Sequence, residues 1–508
     1  MADFANTLSS VLKRNRIYAT HIAAASGVER SLISRVMKNE RTVSFHTVKR
    51  IIDNINVPSE DHELLIRSFI EDNFGYQKYL EYLKLLKEFS MHDYSNKPSG
   101  SGNNISVQLE FSDGIMDLNS KTEIINVARH IISLETERSD GKVYSNIPTG
   151  MMVEIMRSFP DKPIDFKYII DNFFYEKEKL LALSDVFNLM HIGYVCNYFP
   201  LSKQKLHLNF LFPHYIITND YILIIDLFNE TGFLSANKSV IEKYVKVFLN
   251  NFERTTPYII RLDDIMKLKE INASYFARGI EKTTFLHSFG CFATAYLDLD
   301  MWEQIAKPDV PNRNFLRDTT YKYYQETYGA INKDLCNISS KESLAEFVDY
   351  GIIKSMPREF AYPLNKENRV KVLEKMYNCF QSDDLFFYLY NDTDLKLGSE
   401  FGIEIFDNTF VPSHMMLYYP TENCQLHFCG NLNFLLDDAA TTHDFAEFVN
   451  CFALSDYCYS KEKSLKILQE EILRCKMLSD EYSLKNRTLV QSVLFVYSFI
   501  IKHRYILV

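Results

Sequence analysis

Glycine is scarce in this chain, with 16 among 508 residues. Phosphate-cradling loops need glycine for close backbone approach, and neither G-x-G-x-x-G nor G-x-x-x-x-G-K-[ST] occurs. H-E-x-x-H and G-x-S-x-G are missing too. The nine cysteines include no C-x₂-C pair. Cys424-Gln-Leu-His-Phe-Cys429 comes nearest to a metal site, but strand alternation sets Cys424 on one face and His427 and Cys429 on the other. No metal and no cofactor is therefore expected, and the thiols read as buried small hydrophobes kept reduced in the cytoplasm. No apolar run reaches the roughly 18–20 residues of a membrane span. Leu489–Ile501 comes closest, is interrupted by Gln491, Ser492 and Ser498, and reads as a buried element. The opening Met-Ala-Asp-Phe lacks the basic-then-apolar pattern of a signal peptide. A cytoplasmic chain with no membrane partner is the expectation.

Catalytic groupings are equally thin, and no catalytic residue is assigned. His287-Ser-Phe-Gly-Cys291 places three reactive types together, but catalytic groups normally converge from distant positions. A buried strand with satisfied polar groups explains it better. Asp437-Asp438 and the pair Asp298/Asp300 fit helix N-termini and turns. The aromatic runs Phe173-Phe174-Tyr175, Tyr321 with Tyr323-Tyr324, and Phe386-Phe387-Tyr388 read as core.

What the chain does have is apolar content, 46% hydrophobic and 14% aromatic, enough for roughly three domains of ~150 residues each. Its net charge of −10 is unevenly spread. Residues 1–52 hold nine Lys/Arg (13, 14, 16, 30, 35, 38, 41, 49 and 50) against acids at 3, 29 and 40, a balance of +6 that leaves −16 for the rest. A small basic head on an acidic body fits contact with phosphate at one end only.

Four helices are expected in residues 1–56, the last capped by Ser44, then one starting at Pro58-Ser59 and another over Tyr76–Phe89. Tyr76, Tyr79, Leu80, Leu83 and Leu86 make one apolar stripe, suited either to packing on the same chain or to a dimer seam. Asn96–Asn104 reads as a flexible linker that lets the head reorient. Beyond it, Thr122–Leu134, Tyr175–Leu189, Asn237–Phe252, His443–Phe452 and Lys461–Met477 read as helices. Ile192–Tyr198, Lys205–Phe212, Tyr215–Thr218, Tyr221–Phe228, Leu385–Tyr390, Phe401–Phe406, His414–Tyr419 and Cys424–Cys429 read as strands. Strand, turn, strand and amphipathic helix recur in 215–248 and 417–452, which suggests two related lobes.

The stretch from Ile17 to Arg41 is the most informative. Gly27 sits where the chain turns between two short helices, and glycine takes positive φ at least cost. Ala23 is small enough for close approach, and Ile22, Val28 and Ile33 fill the space between. Ile22, Ala23, Ser26, Gly27, Val28, Ser31, Ile33 and Ser34 together resemble the Cro/repressor-type helix-turn-helix of the XRE family. Asn39-Glu40-Arg41 resembles that family's exit turn, with Asn39 tolerating a left-handed conformation. The resemblance covers residues 4–56; the remainder is similar to the C-terminal portions of poorly described regulators from Firmicutes, which assigns no residue. It implies a recognition helix with Arg30, Ser31, Ser34 and Arg35 on base edges. Thr20, Lys38, Asn39, Arg41, Thr42, His46 and Lys49 would meet backbone phosphates. Tyr18, Ala19 and Glu29 depart from the family pattern.

The expected fold class is α plus α/β: a helix-turn-helix domain at 1–57, a helical connector and linker at 58–104, and α/β lobes at 105–330 and 331–508. The expected function is a one-component transcriptional regulator that binds palindromic operator DNA as a homodimer and senses a peptide or small molecule through its body. An enzyme carrying a DNA-binding head, and a DNA-bound scaffold that recruits a protein, are the alternatives.

Overall fold

The first five helices form where apolar residues recur every three or four positions. α1 (Phe4–Arg14) buries Phe4, Leu8, Val11 and Leu12. α2 (Ala19–Ser26) buries Ile22, and α3 (Arg30–Met37) buries Ile33 and Val36. α4 (Phe45–Asp53) turns Val48, Ile51 and Ile52 inward, and α5 (Ser59–Asn73) packs on α1 through edge-to-face contact of Phe4 with Phe69. α6 (Tyr76–Met91) follows Gly75, whose φ of +85° allows the reversal. This is a computed structural model; it describes residues 4–41, 45–91, 107–160, 162–170, 179–198, 214–262, 283–287, 293–309, 313–315, 317–318, 321–322, 336–353, 361–381, 386–391, 395, 397, 402–406, 414–420, 431–436 and 438–478. The protein is mixed α/β and divides into two compact units: Met1–Ser90 with Leu262–Asn433 and Asp438–Val508, and Met91–Arg261 with Phe434–Asp437.

The second unit starts with β1 (Ile115–Leu118) and α7 (Lys121–Thr136), whose cap Ser120 accepts from the Glu123 amide. β2 (Lys142–Ser145), α8 (Thr149–Met156) and β3 (Asp165–Tyr168) make a crossover between parallel strands. α9 (Lys179–His191) ends where Gly193 takes φ +97°, and the Tyr194 amide folds back to the Leu189 carbonyl. The expected strand over Ile192–Tyr198 therefore shrinks to β4 (Asn197–Tyr198). β5 (His214–Ile217), β6 (Ile222–Asp226) and β7 (Thr231–Ser235) run antiparallel, giving the order β1-β7-β6-β5-β2-β3. α10 (Lys238–Phe252), capped by Asn237, lays Ile241 and Phe248 against Tyr144, Tyr215 and Ile217. β8 (Thr256–Pro257) pairs with β4, and β9 (Ile259–Leu262) follows.

In the first unit, β10 (Thr283–His287), α11 (Leu299–Ile305), β11 (Cys336–Ser340), α12 (Lys341–Tyr350), α13 (Lys366–Phe380) and β12 (Phe386–Tyr390) alternate, and the three strands pair in parallel. β13 (Gly402–Phe406) and β14 (His414–Pro420) extend the sheet antiparallel beyond β10; β15 (Asn431–Leu436) precedes α14 (Ala439–Leu454) and α15 (Lys461–Met477). One face of β12, through Phe387 and Leu389, joins a core with Leu344, Met376, Phe380 and Leu468 from α12, α13 and α15. Each such buried apolar side chain contributes roughly 1.5–3 kcal/mol.

α14 lies against β10, β13 and β14 on one side and against the N-terminal helices on the other. Phe445 meets Tyr82 with ring centroids 4.9 Å apart, Phe448 meets Tyr79 at 5.6 Å, and Phe445 stacks on Phe89 at 6.2 Å. The C-terminal half of the expected amphipathic helix, Phe448 to Leu454, is buried all round, while Ala439, Ala440 and His443 near its start stay exposed. The stripe on α6 packs within its own chain: Tyr79, Leu83 and Leu86 are buried, although Leu80 stays exposed. The linear partition at 57, 104 and 330 does not follow the compact units, because residues before and after the second unit meet around α14. Lys205–Phe212, Cys424–Cys429, Leu489–Ile501, the linker 96–104, Ser44, Phe173–Tyr175 and Tyr323-Tyr324 lie outside the described residues.

Candidate nucleic-acid interface

α2 stops at Ser26 because Gly27 turns left-handed at φ +65°, its amide donating to the Ala23 carbonyl at 3.0 Å. Ser26 Oγ donates to the Ile22 carbonyl at 2.7 Å and accepts from the Val28 amide at 3.3 Å, which closes the turn. Glu29 starts α3, taking the amides of Leu32 and Ile33 on its carbonyl. Beyond α3, Asn39 stands at φ +56°, the left-handed conformation its short amide side chain tolerates. Ser9 Oγ donates to the Met37 carbonyl at 3.1 Å and ties the end of α3 to α1.

This frame fixes which side of α3 faces out. Ile33 and Val36 are buried, Arg30, Ser31 and Arg35 are exposed, and Ser34 is half-buried. Thr20, Lys38, Asn39 and Arg41 are exposed as well. Arg35 Nε donates back to the Ser31 carbonyl at 3.4 Å, which holds its stem along the helix. Among the described residues no ion pair engages Arg30, Arg35, Lys38 or Arg41, so these four cations, which outnumber the exposed Glu29 and Glu40 beside them, leave the face net positive. Thr42 lies outside the described residues, as does the side chain of His46.

Lys49 is a correction. Expected on a phosphate, it is 4% exposed. Its ammonium pairs with Asp53 at 3.3 Å, donates to the Leu454 carbonyl at 3.4 Å and stands 5.8 Å from the centre of the Tyr388 ring. Burial raises the Asp53 carboxyl above its ordinary value, and the neighbouring Lys49 charge opposes that shift. Helical phase carried the signal: Lys49 stands four residues after Phe45 and three before Ile52, inside the stripe facing the body.

Two further residues at this surface were assigned no contact from the sequence. Arg50 is exposed, and its Nε donates to the Ser26 carbonyl at 3.1 Å. Tyr18, N-terminal to α2, is 67% exposed and meets the His21 ring edge-on at 5.5 Å. Adjacent cations are indistinguishable by charge count; only the phase of α4 separates buried Lys49 from exposed Arg50.

The second unit has an open cleft of about 610 Å³ between the α10 flank and the β5–β6 turn. Lys142, Lys238 and Lys246 line it together with Glu242 and Glu253, so its charges nearly balance. Arg138 on its rim is committed to Asp220 at 2.6 Å. Elsewhere, Asp438 caps α14 by accepting from the Thr441 amide, Asp298 precedes α11 and pairs with Lys375, and Asp300 lies in the first turn of α11; Asp437 lies outside the described residues. Among the described residues no cluster of His, Cys, Asp and Glu has the makings of a metal site, and no helix is long and apolar enough to cross a membrane.

No family model and no curated protein matches the chain. Among solved structures it is similar to one titled phosphatidylserine synthase, from Haemophilus influenzae Rd KW20, with 11% identity over 77% of this chain and 99% of that one and a TM-score of 0.22. The expectation of a homodimeric one-component regulator with a sensing body is corrected at this point. The solved structure bears the name of an enzyme rather than a regulator, although a likeness of that size carries no argument for either. The N-terminal helices, moreover, share one compact unit with the C-terminal part instead of standing apart as a separate head.

Proposed function

We propose that residues 4–56 bind double-stranded DNA in the manner of the helix-turn-helix they resemble. The observation that carries the reading is the single outward face of α3. Gly27 and Asn39 bracket the helix with left-handed residues, Ile33 and Val36 hold it down, and Arg30, Ser31 and Arg35 are left in solvent without ion-pair partners among the described residues. A helix about 10–12 Å across fits the ~12 Å major groove. Arg30, at the N-terminal end, favours guanine through two parallel hydrogen bonds, while Lys38 and Arg41 take phosphates on either side of the exit turn. Thr20 serves the phosphate at the start of α2. The proposal concerns this module alone and assigns no chemistry to the cleft of the second unit.

Fluorescence anisotropy of the full chain with labelled duplexes tests it, followed by sequencing of fragments selected from a random pool. Binding that weakens linearly in log–log salt, together with enrichment of a short shared motif, is expected. Absence of salt-sensitive binding to any duplex at micromolar to ~100 μM protein would overturn the proposal.

A further inference from the structure

The burial of Lys49 removes one of the two phosphate contacts expected of α4; the other, His46, has its side chain outside the described residues. We propose that Arg50 makes the contact that Lys49 does not, and that the Gly27 turn aims it. The inference rests on the DNA-binding reading above and names a residue of the same surface. Three observations meet at this guanidinium. Arg50 is exposed, whereas its neighbours Val48, Lys49, Ile51 and Ile52 are all buried. Its Nε donates to the Ser26 carbonyl, the last residue of α2, at 3.1 Å. Its Nη2 lies 2.8 Å from the place a Cβ would occupy on Gly27, so the absence of a side chain at that turn makes room for the fork.

The bond to Ser26 uses one of the five guanidinium N–H donors and leaves the outer nitrogens for an acceptor. A guanidinium held at its Nε is already oriented, so less side-chain freedom is lost on meeting phosphate. Gly27 is separated from Arg30 only by Val28 and Glu29, which puts the fork beside the end of α3 that carries the base-reading arginine. Glu29, exposed on the same short loop, stands in the way of any phosphate approaching there. The Arg50 charge answers it. α4 is thereby divided: Lys49 holds the helix to the Leu454 carbonyl, and Arg50 faces the duplex.

The test is the salt dependence of binding to a random-sequence duplex, measured on the full chain and on Arg50→Gln, Arg50→Lys and Lys49→Gln. Each phosphate contact contributes about 0.9 to the log–log slope. Arg50→Gln should flatten the slope by about that amount and weaken binding several-fold at low salt. Arg50→Lys keeps the charge without the Nε anchor; it should keep the slope and lose affinity only mildly, and it controls for disturbance of the turn. Lys49→Gln should leave the slope unchanged. An unaltered slope for Arg50→Gln, or a flattened one for Lys49→Gln, overturns the assignment while leaving DNA binding by the module intact. If the unaltered protein fails to bind duplex at all, the underlying reading falls as well, and the two failures are distinguishable in the same titration.

Discussion

The ammonium of Lys49 donates to the backbone carbonyl of Leu454, 405 residues further along the chain, at 3.4 Å. This bond joins α4 to the end of α14 and, with the Asp53 pair, fixes how the N-terminal helices sit on the rest of their unit. A lysine expected to meet solvent phosphate is instead a buried strut.

Lys49→Met should therefore destabilise the protein strongly, by about 3 kcal/mol, because it leaves a mostly buried Asp53 carboxylate without its partner. Lys49→Met with Asp53→Leu should recover most of that loss. Urea unfolding of both variants decides it; equal losses would show that the pairing is not what holds the helix.

The same variant should be pH-sensitive with a definite sign. Burial raises the folded-state value of Asp53 above its ordinary 3.8. A raised carboxyl costs stability above its folded value, and the cost fades as pH falls through it. Without Lys49 the shift grows, so the deficit of Lys49→Met relative to the unaltered protein should shrink as pH falls through the raised value toward the ordinary carboxyl range. A deficit that does not change as pH falls would sink the account.

Asp456 runs the other way. Its hydrogen bond to His62, with ring nitrogen and carboxylate 3.5 Å apart, holds the carboxyl below its ordinary value. Such a group contributes stability above the unfolded value, and the contribution is lost as pH falls through the folded one. Asp456→Asn should lower the melting temperature slightly at neutral pH, and the difference should fade as pH falls below the ordinary carboxyl value. Asp456 is largely exposed, so the neutral-pH effect should stay within about 1 kcal/mol.

Gly27→Ala places a methyl group on a residue with φ +65° and against the Arg50 guanidinium. Left-handed strain alone costs about 1–2 kcal/mol. Thermal unfolding should register this loss, and duplex binding should weaken further because the turn and the fork both shift. A variant as stable as the unaltered protein would show that the turn relaxes freely.

Arg30→Ala removes an exposed side chain that holds no other helix in place. Stability should be unchanged, while affinity for a selected duplex falls by about 1–3 kcal/mol and affinity for random DNA falls much less. Equal losses on both would mean that Arg30 reads charge and not sequence.

Local periodicity was legible in the chain and set most of the regular elements. Lys461–Met477 has the bounds expected, the helix over Asn237–Phe252 begins one residue later because Asn237 is its cap, and the strands described over Phe386–Tyr390 and Gly402–Phe406 end where expected. Gly27 and Asn39 were legible for the same reason: positive φ is a property of the residue as much as of its surroundings. Ile192–Tyr198 misled because its β-branched and aromatic composition says strand, while Gly193 ends a helix inside it.

What lay beyond reach was everything that depends on contacts between distant segments. Composition establishes that residues 1–52 are basic and that α3 has one polar side. It does not distinguish two adjacent cations; the phase of α4 puts Lys49 on the apolar side, and α14, packing there from hundreds of residues away, supplies what Lys49 meets. The stripe on α6 found its partner in Phe445 and Phe448 of the same chain, a pairing no spacing rule encodes. Hydrophobic burial is non-directional: the sequence says which faces must be covered, and only the assembled tertiary structure decides by what.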